Sequence, residues 1–395
     1  MFQSVASLST RVGGLFASHF LGFGLFLPFF PLVLEGRGLN VADIGYILSV
    51  GTIVRIIANP IMTGLSDHSG RRRLSIFVYS VLSAIFLGVF ASTSGVFFAF
   101  VTVAGLMAFW SPIVPLSDAY ALDVVRNHGA DYGRMRLWGS VGFVVANVIG
   151  GWLAGIESSD LLIGGIALGV LSTGFVALSL PPQVRRQTEE SDERDSRPAL
   201  FWSPSFWVIL AVIGLLQGSH AAFYGFGTLF WMQAGLSEFS IGILWSVGVV
   251  AEIALFYAAG PLVLRFGALN FLMIGAIGAA VRWMLFPFAD TFATMSILQL
   301  MHGISFGAAH LGAVAYVSRL VPPKWAATGQ GFLATSNGIL TALGLAVCGP
   351  LYALDPAYPF WAMVVMSVVA MLGLLILRPL MASKLAAADR VPSAA

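Results

Sequence analysis

Apolar residues fill this chain in long blocks, and polar residues gather in the short gaps between them. A helix crossing a bilayer needs about 20 predominantly apolar residues. Twelve blocks reach that length and are predicted as membrane-spanning helices, over 12–34, 41–64, 73–92, 95–122, 134–155, 160–180, 205–233, 239–264, 268–287, 291–318, 325–350 and 358–378. The gaps hold glycine, proline and charge, the residues that end helices. The widest gap, PPQVRRQTEESDERDSRP over 181–198, is charged and poor in apolar residues, and reads as a solvated linker. The predicted organisation is therefore an N-terminal six-helix half over 1–180, a cytoplasmic linker over 181–203 and a C-terminal six-helix half over 204–395.

Composition agrees. Hydrophobic residues make up 58% of the 395 and charged ones only 10%, against about 25% charged in a soluble domain. The bilayer is the expected environment. The opening residues MFQSVASLSTR are mildly polar, and the apolar run after them is too long for a signal-peptide core. The first helix is thus expected to stay in the membrane. The single cysteine, Cys348, excludes an intramolecular disulfide. A net charge of +2 gives no footprint for nucleic acid, and none is expected as a partner.

The basic residues set orientation instead. With the N-terminus inside, only Arg37 of the 20 lysines and arginines falls in an outer loop, and Arg55 and Arg282 fall within spans. All others lie on the inner side, as the positive-inside rule requires. The expected protein is multi-pass in the cytoplasmic (inner) membrane, with both termini cytoplasmic.

The two halves repeat. GRGLNVADIGYILSVGTIVRII (36–57) aligns with QAGLSEFSIGILWSVGVVAEIAL (233–255): Gly38, Ile44, Gly45, Ser49, Val50, Gly51 and Ile56 each have an identical mate 197 positions later. YGRMRLWGSVG (132–142) aligns with TGQGFLATSNG (328–338) through Gly133, Ser140 and Gly142. Two six-helix halves related by repetition are the build of many secondary transporters, whose sites lie near the midplane. In this register Glu252 takes the place of Arg55, so each half sets one charge at the same point of its second helix. A charge at a helix centre costs roughly 2.5–3.5 kcal/mol on insertion scales, so its retention points to use.

The first inner loop, GLSDHSGRRR (64–73), resembles the G-x-x-x-D-x-x-G-R-R loop of the major facilitator superfamily. Gly64 and Gly70 would permit tight turns. Asp67 would cap the next helix or pair with a nearby arginine such as Arg71, latching one conformation. The matching loop GPLVLRFGAL (260–269) has no acidic residue, so the latch is one-sided.

PFFPLVL (28–34) and SDAYALDVVRNHGADYGRMRLWGS (117–140) resemble the lactose permease family, and Asp118 and Arg136 hold the places of an acid and an arginine eighteen residues apart. That resemblance implies substrate binding by the pair across two helices. A carboxylate and a guanidinium can neutralise each other there while offering acceptors and a forked donor. AAVRWMLF and LQLMHGISFGAAHLGAVAYV place Arg282 and His302 twenty residues apart, as in that family's proton-coupling region. The family's glutamate three residues after the histidine is Ser305 here. GFGLFLPFFP, RLWGS, VAEIALF, AVRW and LMHGISFGAAHLGA resemble the 3-phenylpropionate permease family over essentially the whole chain.

The fold class expected is an all-α polytopic membrane protein, twelve transmembrane helices in two pseudo-symmetric six-helix halves, the major facilitator fold. The function expected is a proton-coupled symporter working by alternating access. Proton coupling falls to Glu252, Arg282, His302 and His310; substrate binding to Asp118, Arg136 and Arg55; the latch to Gly64, Asp67, Gly70 and Arg71. Arg55, Arg136 and Arg282 outnumber Asp118 and Glu252 by one, and a lone positive excess in low dielectric favours an anion. An aromatic carboxylate fits; a sugar or nucleoside fits Asp118 and Arg136 nearly as well, and a proton-independent facilitator is the other alternative. No nucleophile–base set, metal-spaced histidine pair or P-loop is present, so neither an enzyme nor a cofactor or metal is expected. The family resemblance implies a monomer that handles a small molecule and protons.

Overall fold

The structure is a computed structural model, and it describes residues 5–156, 159–182 and 198–388. The charged stretch 183–197 of the expected linker lies outside the described residues. Among those residues twelve helices are long and apolar enough to cross a membrane: Val5–Gly36, Val41–Ser69, Arg72–Ser92, Val96–His128, Tyr132–Ala154, Ser159–Ser179, Pro204–Gln233, Glu238–Ala259, Ala268–Phe288, Phe292–Leu320, Pro323–Leu354 and Tyr358–Ala388. They are numbered below as spans 1 to 12. Each overlaps its predicted block, and spans 1, 2, 4, 11 and 12 run a turn or more beyond it. Apolarity marks only the membrane-buried part of a helix, whereas caps set its ends. Asn40 accepts from the Asp43 amide at 2.9 Å to start span 2, and Asp131 accepts from the Arg134 amide at 3.1 Å to start span 5.

The repeat is visible in the backbone. Gly38 (φ 78°) and its mate Gly235 (φ 83°) both take the left-handed conformation after spans 1 and 7. Gly70 (φ 66°) and Gly267 (φ 79°) do so after spans 2 and 8. An L-residue at these turns would be strained. The mates Gly51 and Gly248 also share a task. Gly51 lets span 2 approach Met107 of span 4, and Gly248 lets span 8 approach His302 of span 10, where an added Cβ would lie 3.1 and 3.6 Å from its neighbour.

Packing divides the chain into two compact units: Met1–Gln187 with Tyr224–Ser246, and Thr188–Phe223 with Val247–Ala395. In the first unit, span 1 packs against spans 5 and 6, and span 4 against spans 2 and 3. Small residues make this close. A methyl on Gly24 would stand 2.8 Å from the Phe143 carbonyl, and one on Gly22 3.3 Å from the backbone of Gly169. Backbone approach of this kind is how helices associate where lipid is as apolar as leucine. In the second unit, span 9 packs against spans 10 and 12, and span 7 against spans 11 and 12. Gly275 meets the Ala309 backbone, and Gly312 the Leu272 amide, each 2.7 Å from an added Cβ. Leu168, Phe175, Trp152, Val365 and Ile376 remain outward-facing, which suits a lipid-facing surface.

Among the described residues, span 4 breaks at Ser111–Pro112, between helical segments Val96–Trp110 and Ile113–His128, and two further spans are interrupted at polar positions. Span 7 breaks at Ser219–His220, between helical segments Pro204–Gly218 and Ala221–Gln233. Span 10 contains a π-helical turn, Gly303–Ala308, between Phe292–Leu300 and Ala309–Leu320. Such turns widen a helix by one residue and recur at functional sites.

Candidate functional site

The second unit holds a buried polar chain centred on Arg282. This arginine is fully buried at the C-terminal end of the helix Ala268–Leu285, where a cation suits the helix dipole. A buried guanidinium requires acceptors, and span 10 supplies three. Arg282 Nη1 lies 2.9 Å from His302 Nδ1 and donates to Ser305 Oγ at 3.2 Å, while Nη2 donates to Gln299 Oε1. The π-turn brings His302 and Ser305 to the same guanidinium. Two ring faces complete the enclosure, Phe223 at 4.9 Å and Trp283 at 4.5 Å from Arg282 Cζ.

The chain extends both ways. His302 Nε2 stands 3.7 Å from Glu252 Oε2 of span 8, too long for a hydrogen bond but close enough for strong electrostatic contact. On the other side, His220 Nε2 lies 3.3 Å from Ser305 Oγ, and its Nδ1 lies 3.2 Å from the Gln217 carbonyl. Glu252 keeps a quarter of its side chain exposed, while His302 and His220 are buried. The carboxylate is therefore the member that communicates with the surroundings. His302 and His310, eight residues apart, sit at separate depths, and the ring of Phe306 stacks between them, 5.1 Å from one and 5.8 Å from the other, to form a ladder. His310 also lies within electrostatic reach of Glu252.

The first unit arranges its expected substrate residues differently from a direct ion pair. Asp118 and Arg136 do not bond to each other. Tyr132 donates to Asp118 Oδ1 at 2.9 Å and lies within the electrostatic reach of Arg136. The guanidinium of Arg136 rests on Phe20 at 4.3 Å and on Phe16 at 5.4 Å. Gly139 makes room for that stack, since a Cβ there would meet both Arg136 Nη1 and the Phe20 ring within 2.8 Å. Aromatic rings continue from Phe20 through His19 to Trp110. Arg136 is part-buried and Arg55 is exposed. Arg55 also lies within electrostatic reach of Tyr224.

At the inner loop, Asp67 pairs with Arg72 at 2.9 Å, and Arg72 pairs with Asp123 at 2.6 Å. Arg71 precedes the next helix and makes no ion pair among the described residues. Gly70 ends span 2, whereas Gly64 lies inside that helix with open space around it and forms no turn. The ion-pair partner of Asp67 is one residue beyond the arginine expected.

The helical pattern, the paired glycines and the buried charges all fit one family, and sequence comparison decides it. Residues 12–363 match the model of the MFS_1-like family. The chain belongs to that family. Among curated proteins it is 31% identical over 357 residues to the probable 3-phenylpropionic acid transporter of Escherichia coli (strain K12), covering 90% of this chain and 94% of that protein. It is 29% identical over 323 residues to the maltose permease of Geobacillus stearothermophilus, covering 81% and 82%. Among solved structures, a mutant of the nucleoside transporter NupG superposes with a TM-score of 0.83 at 19% identity, covering 93% of this chain and 99% of that one. At that identity the likeness is one of fold. This is a major facilitator transporter of twelve membrane-spanning helices, acting on a small molecule within the bilayer.

Within this family frame, the sequence does not mark His220, Gln299, Tyr132 or the phenylalanines under Arg136 as members of the site. The polar triplet Gly218–Ser219–His220 interrupts an otherwise apolar run and was the available signal for His220. Gln299 had none, because a lone amide in a long helix does not reveal which helix it faces. Ser305 read as the loss of a carboxylate, whereas it is a hydrogen-bonding member of the chain.

Proposed function

We propose that this protein is a proton-coupled symporter that imports an aromatic carboxylate by alternating access, in the inner membrane and with both termini in the cytoplasm. The observation that carries the coupling half is the contact of Glu252, partly exposed, with His302, buried and bonded to a buried arginine. A carboxylate so placed can load a proton from one side and release it to the other. Burial favours its neutral form and a nearby cation its charged form, so movement between such surroundings switches proton affinity. Glu252 carries the proton; Arg282, His302 and His310 surround it and sense its charge.

The substrate half rests on Arg136, part-buried and stacked on aromatic rings, on Arg55, and on the excess of Arg55, Arg136 and Arg282 over Asp118 and Glu252 inside the spans or at their inner edge. An aryl acid offers an anion for the guanidinium and a ring for the phenylalanines. The relative described as a phenylpropionic acid transporter supports this class.

Glu252→Gln tests the coupling. The variant should lose uphill uptake driven by a proton gradient and retain counterflow; full concentrative uptake would refute the role. Thermal unfolding in detergent tests the substrate. A ligand at about 100 times its Kd stabilises by about 2.7 kcal/mol. Phenylpropionate-like acids should raise the midpoint; a rise with sugars or nucleosides only would move the centre of the site to Asp118 and Arg136 and overturn the anion reading. Counterflow without any pH dependence would favour a facilitator.

A further inference from the structure

The hydrogen bonds around Arg282 fix where protons can sit. A guanidinium has donors only, so His302 Nδ1, 2.9 Å from Arg282 Nη1, must accept through its lone pair. The proton of the neutral ring is then on Nε2, the atom that faces Glu252 Oε2. The other histidine is fixed as well. A backbone carbonyl only accepts, so His220 Nδ1 carries a proton toward the Gln217 oxygen. Its Nε2 therefore accepts from the Ser305 hydroxyl, which itself accepts from Arg282. Donation runs outward from the arginine in both directions: through Ser305 to His220, and through His302 toward Glu252.

We infer that His302 is a tautomer-locked imidazole that presents its Nε2–H to Glu252 and does not carry the transported proton, and that Ser305 and His220 hold the lock. This rests on the proton-coupled reading above only for its transport consequence. A second proton on His302 could go only to Nδ1. There it would meet the Nη1–H of Arg282 head-on, donor against donor and cation against cation, in a buried site. Arg282 would have to withdraw. The same guanidinium is held by Gln299 and Ser305 and enclosed by Phe223 and Trp283, so withdrawal breaks the whole set. The charged and titratable groups facing His302 are Arg282 from span 9, Glu252 from span 8 and His220 from span 7, whose ring centre is 5.9 Å away. On its own helix His310 lies beyond Phe306. The transported proton binds a Glu252 oxygen from water on one side and leaves to water on the other. The Nε2–H bond of His302 stays intact throughout. His302 is a positioning residue, and its service is to present one fixed donor to a carboxylate that gains and loses charge.

Amides can replace a locked imidazole, because Asn and Gln each offer one acceptor and one donor group and neither titrates. In proteoliposomes, with proton flux read by a trapped pH dye during phenylpropionate uptake, His302→Gln or His302→Asn should retain coupled flux. His302→Leu should lose about tenfold or more, because it removes the acceptor of the charged Arg282 together with the N–H presented to Glu252. If both amide variants keep phenylpropionate counterflow yet lose proton flux, while the wild type is coupled, His302 carries the proton and the inference is wrong. A wild type without proton flux would sink the symport reading but not the lock. The lock has its own readout. Nitrogen NMR of ring-labelled histidine, with His302 assigned by its absence from His302→Gln, should show a bare Nδ1 at every pH at which the protein stays folded. A doubly protonated ring, or a proton on Nδ1, would overturn it.

Discussion

Adding one methyl group to Gly303 should separate the carboxylate from its histidine. Gly303 opens the π-turn, and a Cβ there would stand 2.8 Å from the Ala251 carbonyl oxygen and 3.1 Å from its carbon. Ordinary contact begins at 3.4 Å, and both neighbours are backbone, so span 8 itself must retreat. Ala251 is bonded to Glu252. The retreat therefore carries the carboxylate away from His302, already 3.7 Å distant. Overpacking of this kind costs about 1–3 kcal/mol, and every 1.4 kcal/mol is about tenfold in an equilibrium. Gly307, one turn on, is the control. Its added Cβ would meet Leu255 Cδ2 at 2.9 Å, the end of a flexible side chain that can rotate aside. Gly303→Ala should lower the thermal midpoint in detergent and reduce uphill uptake more than counterflow. Gly307→Ala should stay close to wild type in both assays. Equal behaviour of the two variants would refute the claim that backbone contact between spans 8 and 10 sets the position of Glu252.

Two further outcomes are expected. Arg282→Lys keeps the charge but cannot reach Gln299, Ser305 and His302 together; with hydrogen bonds to charged groups worth about 1.5–3 kcal/mol each, the thermal midpoint should fall clearly, and an unchanged midpoint would show that these acceptors find other partners. Arg72→Gln breaks the pairs with Asp67 and Asp123, but such part-exposed pairs contribute only about 1 kcal/mol or less. Unfolding should therefore barely change, and altered uptake kinetics at unchanged stability would be the signature of a latch.

The sequence by itself determined the number of spans, because bilayer thickness imposes a length that apolar composition reveals without any partner. It determined the repeat, since glycines 38, 70, 235 and 267 are needed by local backbone geometry and recur at a fixed interval. It also marked Glu252, Arg282 and His302, because a charge or imidazole in an apolar helix is costly wherever it points, and the structure brings the three together. Which polar groups meet was decided only by packing. Helical periodicity gives a face but not the neighbour on that face, so Gln299 and His220 carried no mark of their contact with Arg282 or Ser305. The same limit made Asp118 and Arg136 read as an ion pair, when Tyr132 takes the carboxylate and Phe20 lies under the guanidinium. The π-turn at Gly303–Ala308 depends on tertiary contact too. One extra residue per turn is favoured only where neighbouring helices, here Ala251 on one side and Ile304 against Gly278 on the other, reward the widened geometry. That turn carries Ser305 beside His302 on one arginine, and those contacts fix the direction in which the protons of this site point.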